Sequence, residues 1–264
     1  MSPDVVIVGA GITGCATAYE LSKLGLKVQV FEKYFPAAMA SGWTLAGIRQ
    51  SGRHKFELPL AQYSVNKWQT LSDELDYDIA YTQKGNLRLA RDVIEEEIIQ
   101  QLVNEQSLAG LDIIHLSNNK DIKEITPLIS DNIHSASFCA TDGHADPVAT
   151  VNAYKLAAER KNCVFNLGET VEKLNIEKGK ITGLITSKRN VNVSKCVLTG
   201  GIFTNNLLED TGSYIPFSNP IVSVIQTKPT KERLDQVIGV GNGNLSVRQE
   251  KNGSFRISSG AQDW

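Results

Sequence analysis

The residues best suited to do chemistry are three glycines followed by one carboxylate. Gly9, Gly11 and Gly14 take the first, third and last places of a Gly-Ala-Gly-Ile-Thr-Gly run, and Glu32 follows about 20 residues later. Glycines let a main chain turn tightly and approach a ligand, and free N–H groups at the start of a helix bind phosphate. A carboxylate at this spacing accepts hydrogen bonds from ribose hydroxyls. The spacing therefore predicts a dinucleotide site.

Two strands and one helix must hold these residues in place. Val5–Val8 is a short apolar run, typical of a buried strand in a parallel sheet. Residues 15–24 carry apolar side chains at helical spacing, and Gly25 is typical of a helix end. A second alternating segment starts at Val28 and ends at Glu32, which completes a β-α-β unit. Because the charge of Glu32 would repel a 2′-phosphate, we expect FAD or NAD rather than NADP.

The composition is that of an ordinary globular protein. Of 264 residues, 41% are apolar and 21% are charged, and the formal net charge is −2. We find no basic patch for nucleic acid, no apolar run of the ~18 residues that a membrane span needs and no secretory signal. The histidines and cysteines lack the spacing of metal ligands. We therefore expect a cytoplasmic protein without a metal, whose four widely spaced cysteines stay reduced: Cys15, Cys139, Cys163 and Cys196.

The chain after Glu32 departs from a single-fold NAD-dependent dehydrogenase. Such an enzyme would continue with β-α units, whereas residues 33–62 form a long connection rich in small residues. Periodicity beyond this connection predicts helices over residues 64–75, 92–110, 118–129, 146–162 and 202–210. It predicts strands over residues 85–90, 112–117, 133–143, 164–201 and 218–229. Hairpin turns are expected at residues 177–180, 188–190 and 252–253. Since we find no linker, we expect two domains joined by several chain crossings.

Motifs of one protein family recur in five segments: 5–33, 40–53 together with 57–61, 85–90, 143–162 and 197–208. In these segments the chain resembles the D-amino-acid-oxidase-like FAD oxidoreductases, which include glycine oxidase, monomeric sarcosine oxidase and opine and hydroxyproline dehydrogenase subunits. The resemblance implies an α/β fold, with a Rossmann-like FAD-binding domain interleaved with an α+β substrate domain on a largely antiparallel sheet. It assigns residues 1–80 and 142–215 to the FAD-binding domain and residues 81–141 and 216–264 to the substrate domain.

The resemblance also implies which residues contact FAD. The β-α-β unit would bind the ADP half, residues 40–42 would lie by the pyrophosphate and ribityl chain, and residues 44–48 would pass beside the isoalloxazine ring. Val171 would present its backbone to the adenine, and Thr199 and Gly200 would stand near the phosphates. The expected cofactor-binding residues are Gly9, Ala10, Gly11, Ile12, Thr13, Gly14, Glu32, Lys33, Ala40, Ser41, Gly42, Leu45, Ala46, Gly47, Val171, Thr199 and Gly200.

The implied reaction is oxidation of the C–N bond of an amino acid or secondary amine, of the glycine, sarcosine or proline kind, by hydride transfer to the flavin. Oxygen or an electron carrier would be the acceptor, and a partner subunit is possible.

Arg49 matches an arginine that pairs with the substrate carboxylate in some members, a role that suits the planar guanidinium. His54 and His144 lie near the same segments, where structural hydrogen bonding is the more common role of a single histidine.

Two features depart from the family pattern. Trp43 replaces a smaller residue, and Thr199-Gly200-Gly201-Ile202 replaces a run closer to Ala-Gly-Ala-Trp. The chain also stops where relatives continue, so we expect a C-terminally truncated protein that binds FAD weakly. A non-catalytic dinucleotide-binding remnant, or a subunit that needs a partner, is the alternative function. An NAD-dependent dehydrogenase is disfavoured by the connection after Glu32.

Overall fold

A computed structural model describes residues 2–261 of the chain. Strands β1 to β16 are Val5–Val8, Val28–Glu32, Gly47–Ile48, Asn86–Ala90, Ile114–Leu116, Ser135–Cys139, Gly143–His144, Val164–Leu167, Val171–Glu177, Lys180–Thr186, Asn190–Asn192, Cys196–Leu198, Val224–Gln226, Val237–Val240, Leu245–Gln249 and Phe255–Ser259. Helices α1 to α6 are Ile12–Lys23, Leu58–Leu75, Val93–Leu108, Asn119–Ile125, Pro147–Glu159 and Thr204–Leu208. In this described part of the chain, no helix is long and apolar enough to cross a membrane.

The chain divides into two compact units, each made of several chain segments. Unit 1 contains the residues up to Thr44, Leu75–Asp78 and Pro147–Asn219. Unit 2 contains Leu45–Glu74, Ile79–Asp146 and the residues from Pro220 onward. Each unit is therefore assembled from segments that are far apart in the sequence.

The contacts of residues 45–74 group them with unit 2, whereas the sequence assigned them to the FAD-binding domain. Local pairing explains the difference. Strand β3 pairs with β7, and the main-chain N–H groups of Gln50 and Ser51 donate to the Asp142 carboxylate at 2.7 and 3.2 Å. These contacts also group residues 142–146 with unit 2.

Unit 1 contains a four-stranded parallel sheet in the order β12-β1-β2-β8. All four residues of β1 are buried, as the apolar run Val5–Val8 predicts for a central strand. The side chains of Val6, Val8 and Phe31 pack in one cluster with residues of the antiparallel sheet β11-β10-β9. Helix α1 follows β1 directly and β2 follows α1, so the predicted β-α-β unit is confirmed.

Close contact at the first turn explains two of the glycines. Gly9 has a φ of +104°, in the left-handed region that glycine adopts freely. A Cβ atom on Gly14 would lie 1.9 Å from the carbonyl oxygen of Gly9 and 2.8 Å from the Thr199 hydroxyl. Only a residue without a side chain lets α1 pack this close to the end of β1.

Unit 2 is built on a seven-stranded sheet in the order β13-β16-β15-β14-β4-β6-β5. Only the β14–β4 pair is parallel among these strands; the other pairs are antiparallel. One face packs in an apolar cluster that includes Leu87, Leu89, Ile122 and Ile238. A parallel sheet in one unit and a largely antiparallel sheet in the other confirm the predicted α/β fold class.

Several element boundaries differ from those predicted by periodicity. Helix α2 starts at Leu58, earlier than the predicted residue 64, and the strand predicted over 218–229 is limited to Val224–Gln226. The helix predicted over 202–210 is a short α6 flanked by the 3₁₀ turns Gly201–Phe203 and Glu209–Thr211. The hairpins predicted at 177–180 and 252–253 are confirmed.

Substitution of Gly14 tests the close contact at the first turn. We expect Gly14→Ala to lower the free energy of unfolding by about 3 kcal/mol, the upper end of the cost of overpacking, because the new methyl group meets backbone. Gly239→Ala is the matched control, since a Cβ there would lie 3.6 Å from its nearest neighbour, the Ser246 hydroxyl. Urea denaturation of both variants measures the difference. Equal stabilities would contradict the argument.

His144 in unit 2 should make the stability depend on pH. Burial, and next the charge of Arg248, lower the pKa of His144 to about 4, although Asp235 opposes the shift. Its pKa in the unfolded chain is about 6.5, so the unfolded state binds more protons below that pH and stability falls between about pH 6.5 and pH 4. We expect a loss of about 2–3 kcal/mol over this range.

Urea denaturation at several pH values tests this expectation. His144→Leu should flatten the stability profile between pH 6.5 and 4. The exposed His134 provides the control, since His134→Asn should leave the profile unchanged. An unchanged slope in His144→Leu would show that other groups cause the loss.

Candidate functional site

A cavity of about 490 Å³ opens in unit 1 beside the first β-α turn. It lies at the carboxyl ends of β1 and β2, where parallel sheets bind their ligands. The predicted cofactor-binding residues that line it are Gly9, Gly11, Glu32, Lys33, Ala40, Ser41, Val171, Thr199 and Gly200. The predicted residues Ala10, Ile12, Thr13, Gly14 and Gly42 belong to unit 1 without lining this cavity.

The N-terminus of α1 offers main-chain donors next to the cavity. Gly11 is the N-cap residue and has no side chain to cap the helix. The N–H of Ile12 donates to the Ser41 hydroxyl at 3.0 Å, and a Cβ on Gly11 would lie 3.0 Å from the same oxygen. Gly11 thus gives Ser41 access to the positive end of the helix, where phosphate oxygens are also stabilised.

Two backbone hydrogen bonds orient the Glu32 carboxylate. Its Oε2 accepts from the N–H of Ala10 at 2.7 Å, and its Oε1 accepts from the N–H of Tyr34 at 2.8 Å. Each carboxylate oxygen has two lone pairs, so both can still accept a hydrogen bond from a ligand. Glu32 therefore ties the glycine turn to the end of β2 and keeps acceptor capacity at the cavity wall.

Thr199 joins the ends of two neighbouring strands. Its hydroxyl lies 2.9 Å from the carbonyl oxygen of Val8 and 3.0 Å from that of Gly9, and its N–H donates to the Val8 oxygen at 2.9 Å. The hydroxyl thus donates to a carbonyl group at the end of β1.

The rim of the cavity carries apolar and aromatic residues that sequence reasoning missed. The Lys33 ammonium lies 5.0 Å from the ring centre of Tyr34 and 5.4 Å from that of Phe203. Phe203, Ile202 and Met39 are between 41% and 52% exposed, which is a large apolar surface to leave in water. No motif marks these residues in the sequence; only their neighbours in the chain, Ala40 and Thr199–Gly200, were predicted.

The other predicted site residues belong to unit 2. Leu45, Ala46 and Gly47 lead into β3, and Ala46 adopts a left-handed φ of +57°. Arg49 is partly buried, and its Nη1 donates to the carbonyl oxygen of Ser51 at 2.5 Å. The structure thus separates the predicted residues into a unit 1 group around the cavity and a unit 2 group around Arg49.

The surroundings of Arg49 are short of negative charge. Burial, and next the charges of Arg53 and Arg88, lower the pKa of Arg49 to about 10, while Asp142 and Glu57 oppose the shift. Asp142 is fully buried and was not identified from the sequence. Arg49 remains protonated at neutral pH, so this side chain offers a cation to an anionic ligand.

The comparison that decides the family is the match to a family model. The model of the FAD dependent oxidoreductase family, DAO, matches residues 4–264. The chain belongs to this family of FAD-dependent oxidoreductases. The family predicted from the sequence and the predicted cofactor, FAD, are thereby confirmed.

Individual relatives show how far the similarity extends. Sarcosine oxidase subunit beta from Arthrobacter sp. is 29% identical over 235 residues, 85% of this chain and 57% of that protein. Glycerol 3-phosphate dehydrogenase from Caloramator mitchellensis is 28% identical over 244 residues, 89% of this chain and 48% of that protein. L-Proline dehydrogenase from P. horikoshii superposes with a TM-score of 0.90 at 25% identity, covering 98% of this chain and 70% of that one. The chain spans about half the length of these two curated relatives.

The residues of unit 1 fit the ADP half of the FAD that the DAO family uses. The start of α1 suits the pyrophosphate, because its N–H groups and the dipole favour negative charge. The Glu32 carboxylate suits the ribose hydroxyls, and the apolar rim suits the face of an adenine. We propose Gly9, Gly11, Glu32, Ser41, Val171 and Thr199 as the residues that hold this half of the cofactor.

Removal of the Glu32 carboxylate tests this fit. A hydrogen bond to a charged group contributes about 1.5–3 kcal/mol, so Glu32→Ala should weaken FAD binding by about ten- to a hundredfold. Glu20→Ala, on the exposed side of α1, is the control and should bind FAD normally. Fluorescence titration of the FAD-free protein measures both dissociation constants. An unchanged constant for Glu32→Ala would mean that its carboxylate does not bind the ribose.

Proposed function

We propose that this DAO-family protein oxidises the C–N bond of an amino acid or secondary amine. The observation that carries the proposal is the partly buried Arg49, whose guanidinium is short of negative charge. A planar guanidinium binds a carboxylate through two parallel hydrogen bonds, so it suits a substrate that carries a carboxylate beside its amine. Sarcosine oxidase subunit beta and L-proline dehydrogenase, two proteins similar to this chain, are named for such compounds.

The residues of the chain would bind and orient the substrate. Arg49 would hold the carboxylate and so fix the position of the neighbouring carbon, while Asp142 holds the main chain of Gln50 and Ser51 and thereby the segment that carries Arg49. Bound FAD supplies the acceptor for the hydride that leaves this carbon. The substrate amine must be neutral, and the imine product is hydrolysed by water.

The acceptor and the partners of the whole protein are part of the proposal. Oxygen or an electron carrier would reoxidise the flavin, and a partner subunit would assist, as the name of the sarcosine oxidase subunit suggests for that relative.

A cytoplasmic location agrees with four free cysteines. Burial raises the pKa of Cys15 to about 12 and that of Cys139 to about 11, which keeps these thiols unreactive.

A second candidate reaction is oxidation of an alcohol that carries a phosphate. The similarity to glycerol 3-phosphate dehydrogenase supports it, and the Arg49 guanidinium would pair with a phosphate as well as with a carboxylate. The two candidates differ in the substrate that reduces the flavin, so one set of measurements separates them.

Anaerobic reduction of the bound FAD tests the proposed function. Glycine, sarcosine and proline should bleach the flavin absorbance faster than methylamine, dimethylamine and pyrrolidine, which lack the carboxylate. Arg49→Lys should lose about ten- to a hundredfold of this preference, because an ammonium cannot make the paired contact. Arg53→Lys, in the same segment but exposed, is the control. Reduction by glycerol 3-phosphate alone would favour the second candidate, and reduction by none of these compounds would contradict both.

A further inference from the structure

A second arginine in unit 2 projects from the face of the sheet opposite its apolar cluster. Arg88 lies in β4 between Leu87 and Leu89, which both pack in that cluster. Successive side chains of a strand point to opposite faces, so Arg88 projects from the other face. Its cross-strand neighbours there are the small residues Ser137 and Gly239.

The guanidinium groups of Arg88 and Arg49 meet beside Gly52. A Cβ atom on Gly52 would lie 2.6 Å from Nη2 of Arg88 and 2.9 Å from Nη1 of Arg49. The two nitrogens therefore lie close to each other and pack against Gly52, where a side chain would displace them. Groups this close can bind one small anion together.

Most N–H donors of the Arg49 and Arg88 guanidinium groups make no hydrogen bond within residues 2–261. Within residues 2–261, the Arg88 guanidinium has no hydrogen-bond partner, and that of Arg49 donates to the Ser51 carbonyl oxygen. A guanidinium has five N–H donors. Asp142, the nearest buried carboxylate, already accepts bonds from the N–H groups of Gln50 and Ser51 and from the Ser51 hydroxyl.

The charged side chains around Arg49 and Arg88 include one more arginine than carboxylates, so one positive charge is not neutralised. Arg49 and Arg88 are partly buried, and the buried Asp142 offsets one of them. Arg53 and Glu57, both exposed, offset each other. Burial lowers the pKa of Arg88 as it does that of Arg49, and in both cases Asp142 opposes the shift. One bound carboxylate would balance the remaining charge.

We propose that Arg88 is a second substrate-binding residue, which together with Arg49 binds the single carboxylate of a monocarboxylate substrate. The inference rests on the proposed function, in which Arg49 binds the substrate carboxylate. Two guanidiniums would favour a carboxylate strongly over a neutral amide of the same shape. A dicarboxylate would bring one negative charge too many and bind more weakly than a monocarboxylate.

Binding of inert probes tests Arg88 independently of any turnover. Trifluoropropionate and trifluoropropionamide have the same shape and lack an amine, so the flavin cannot oxidise them as amines. Fluorine NMR titration of the purified FAD-loaded protein measures both affinities. We expect the wild-type protein to prefer the carboxylate, and Arg88→Met to lose ten- to a hundredfold in affinity for the carboxylate alone, about the effect of one or two charge-assisted hydrogen bonds.

Two further variants complete the experiment. Arg233→Met removes a positive charge from an exposed position of unit 2 and should bind both probes as the wild type does. If Arg88→Met does not fold, Arg88→Gln replaces it, with the same expected loss. Equal affinity of the wild type for the two probes, or an unchanged carboxylate preference in the folded Arg88 variant, would overturn the proposal. Loss of the preference in a protein whose flavin no amine reduces would support the binding role of Arg88 while contradicting the proposed reaction.

Discussion

The arrangement of unit 1 depends on one steric constraint, the contact between the start of α1 and the end of β1. Gly14 lies so close to the Gly9 carbonyl oxygen that a methyl group would overlap it, and a Cβ on Gly9 would in turn lie 2.6 Å from the Thr199 carbonyl oxygen. Strands β1 and β12 and helix α1 thus come together at a point with no space for side chains. Beside this contact, the N–H of Ile12 at the start of α1 donates to the hydroxyl of Ser41, which lines the cavity.

A carboxylate that binds main-chain N–H groups organises the candidate site residues of each unit. In unit 1, Glu32 accepts from Ala10 and Tyr34 and fixes the glycine turn. In unit 2, Asp142 accepts from Gln50 and Ser51 and fixes the segment after Arg49. The two carboxylates differ in what remains for a ligand: Glu32 keeps free acceptor capacity, whereas Asp142 leaves two neighbouring arginines with unused donors.

The sequence predicts the parts of this structure that depend on local patterns. The glycine spacing, the apolar run of β1 and the position of Glu32 lie within about 30 residues of each other, and the whole β-α-β unit follows from them. Asp142 and Arg88 could not be found in this way, because they meet the Arg49 segment only through folding. The placement of residues 45–74 in unit 2 has the same cause, since the pairing of β3 with β7 joins positions almost 100 residues apart.

A crystal structure of the FAD-loaded protein tests the central claim most directly, namely that the glycine-built start of α1 and the Glu32 carboxylate hold the ADP half of the cofactor. The account predicts pyrophosphate oxygens within hydrogen-bond distance of the first N–H groups of α1, and ribose hydroxyls that donate to Glu32. A dinucleotide bound in this cavity with its ribose turned away from Glu32, or bound elsewhere on the chain, would contradict it.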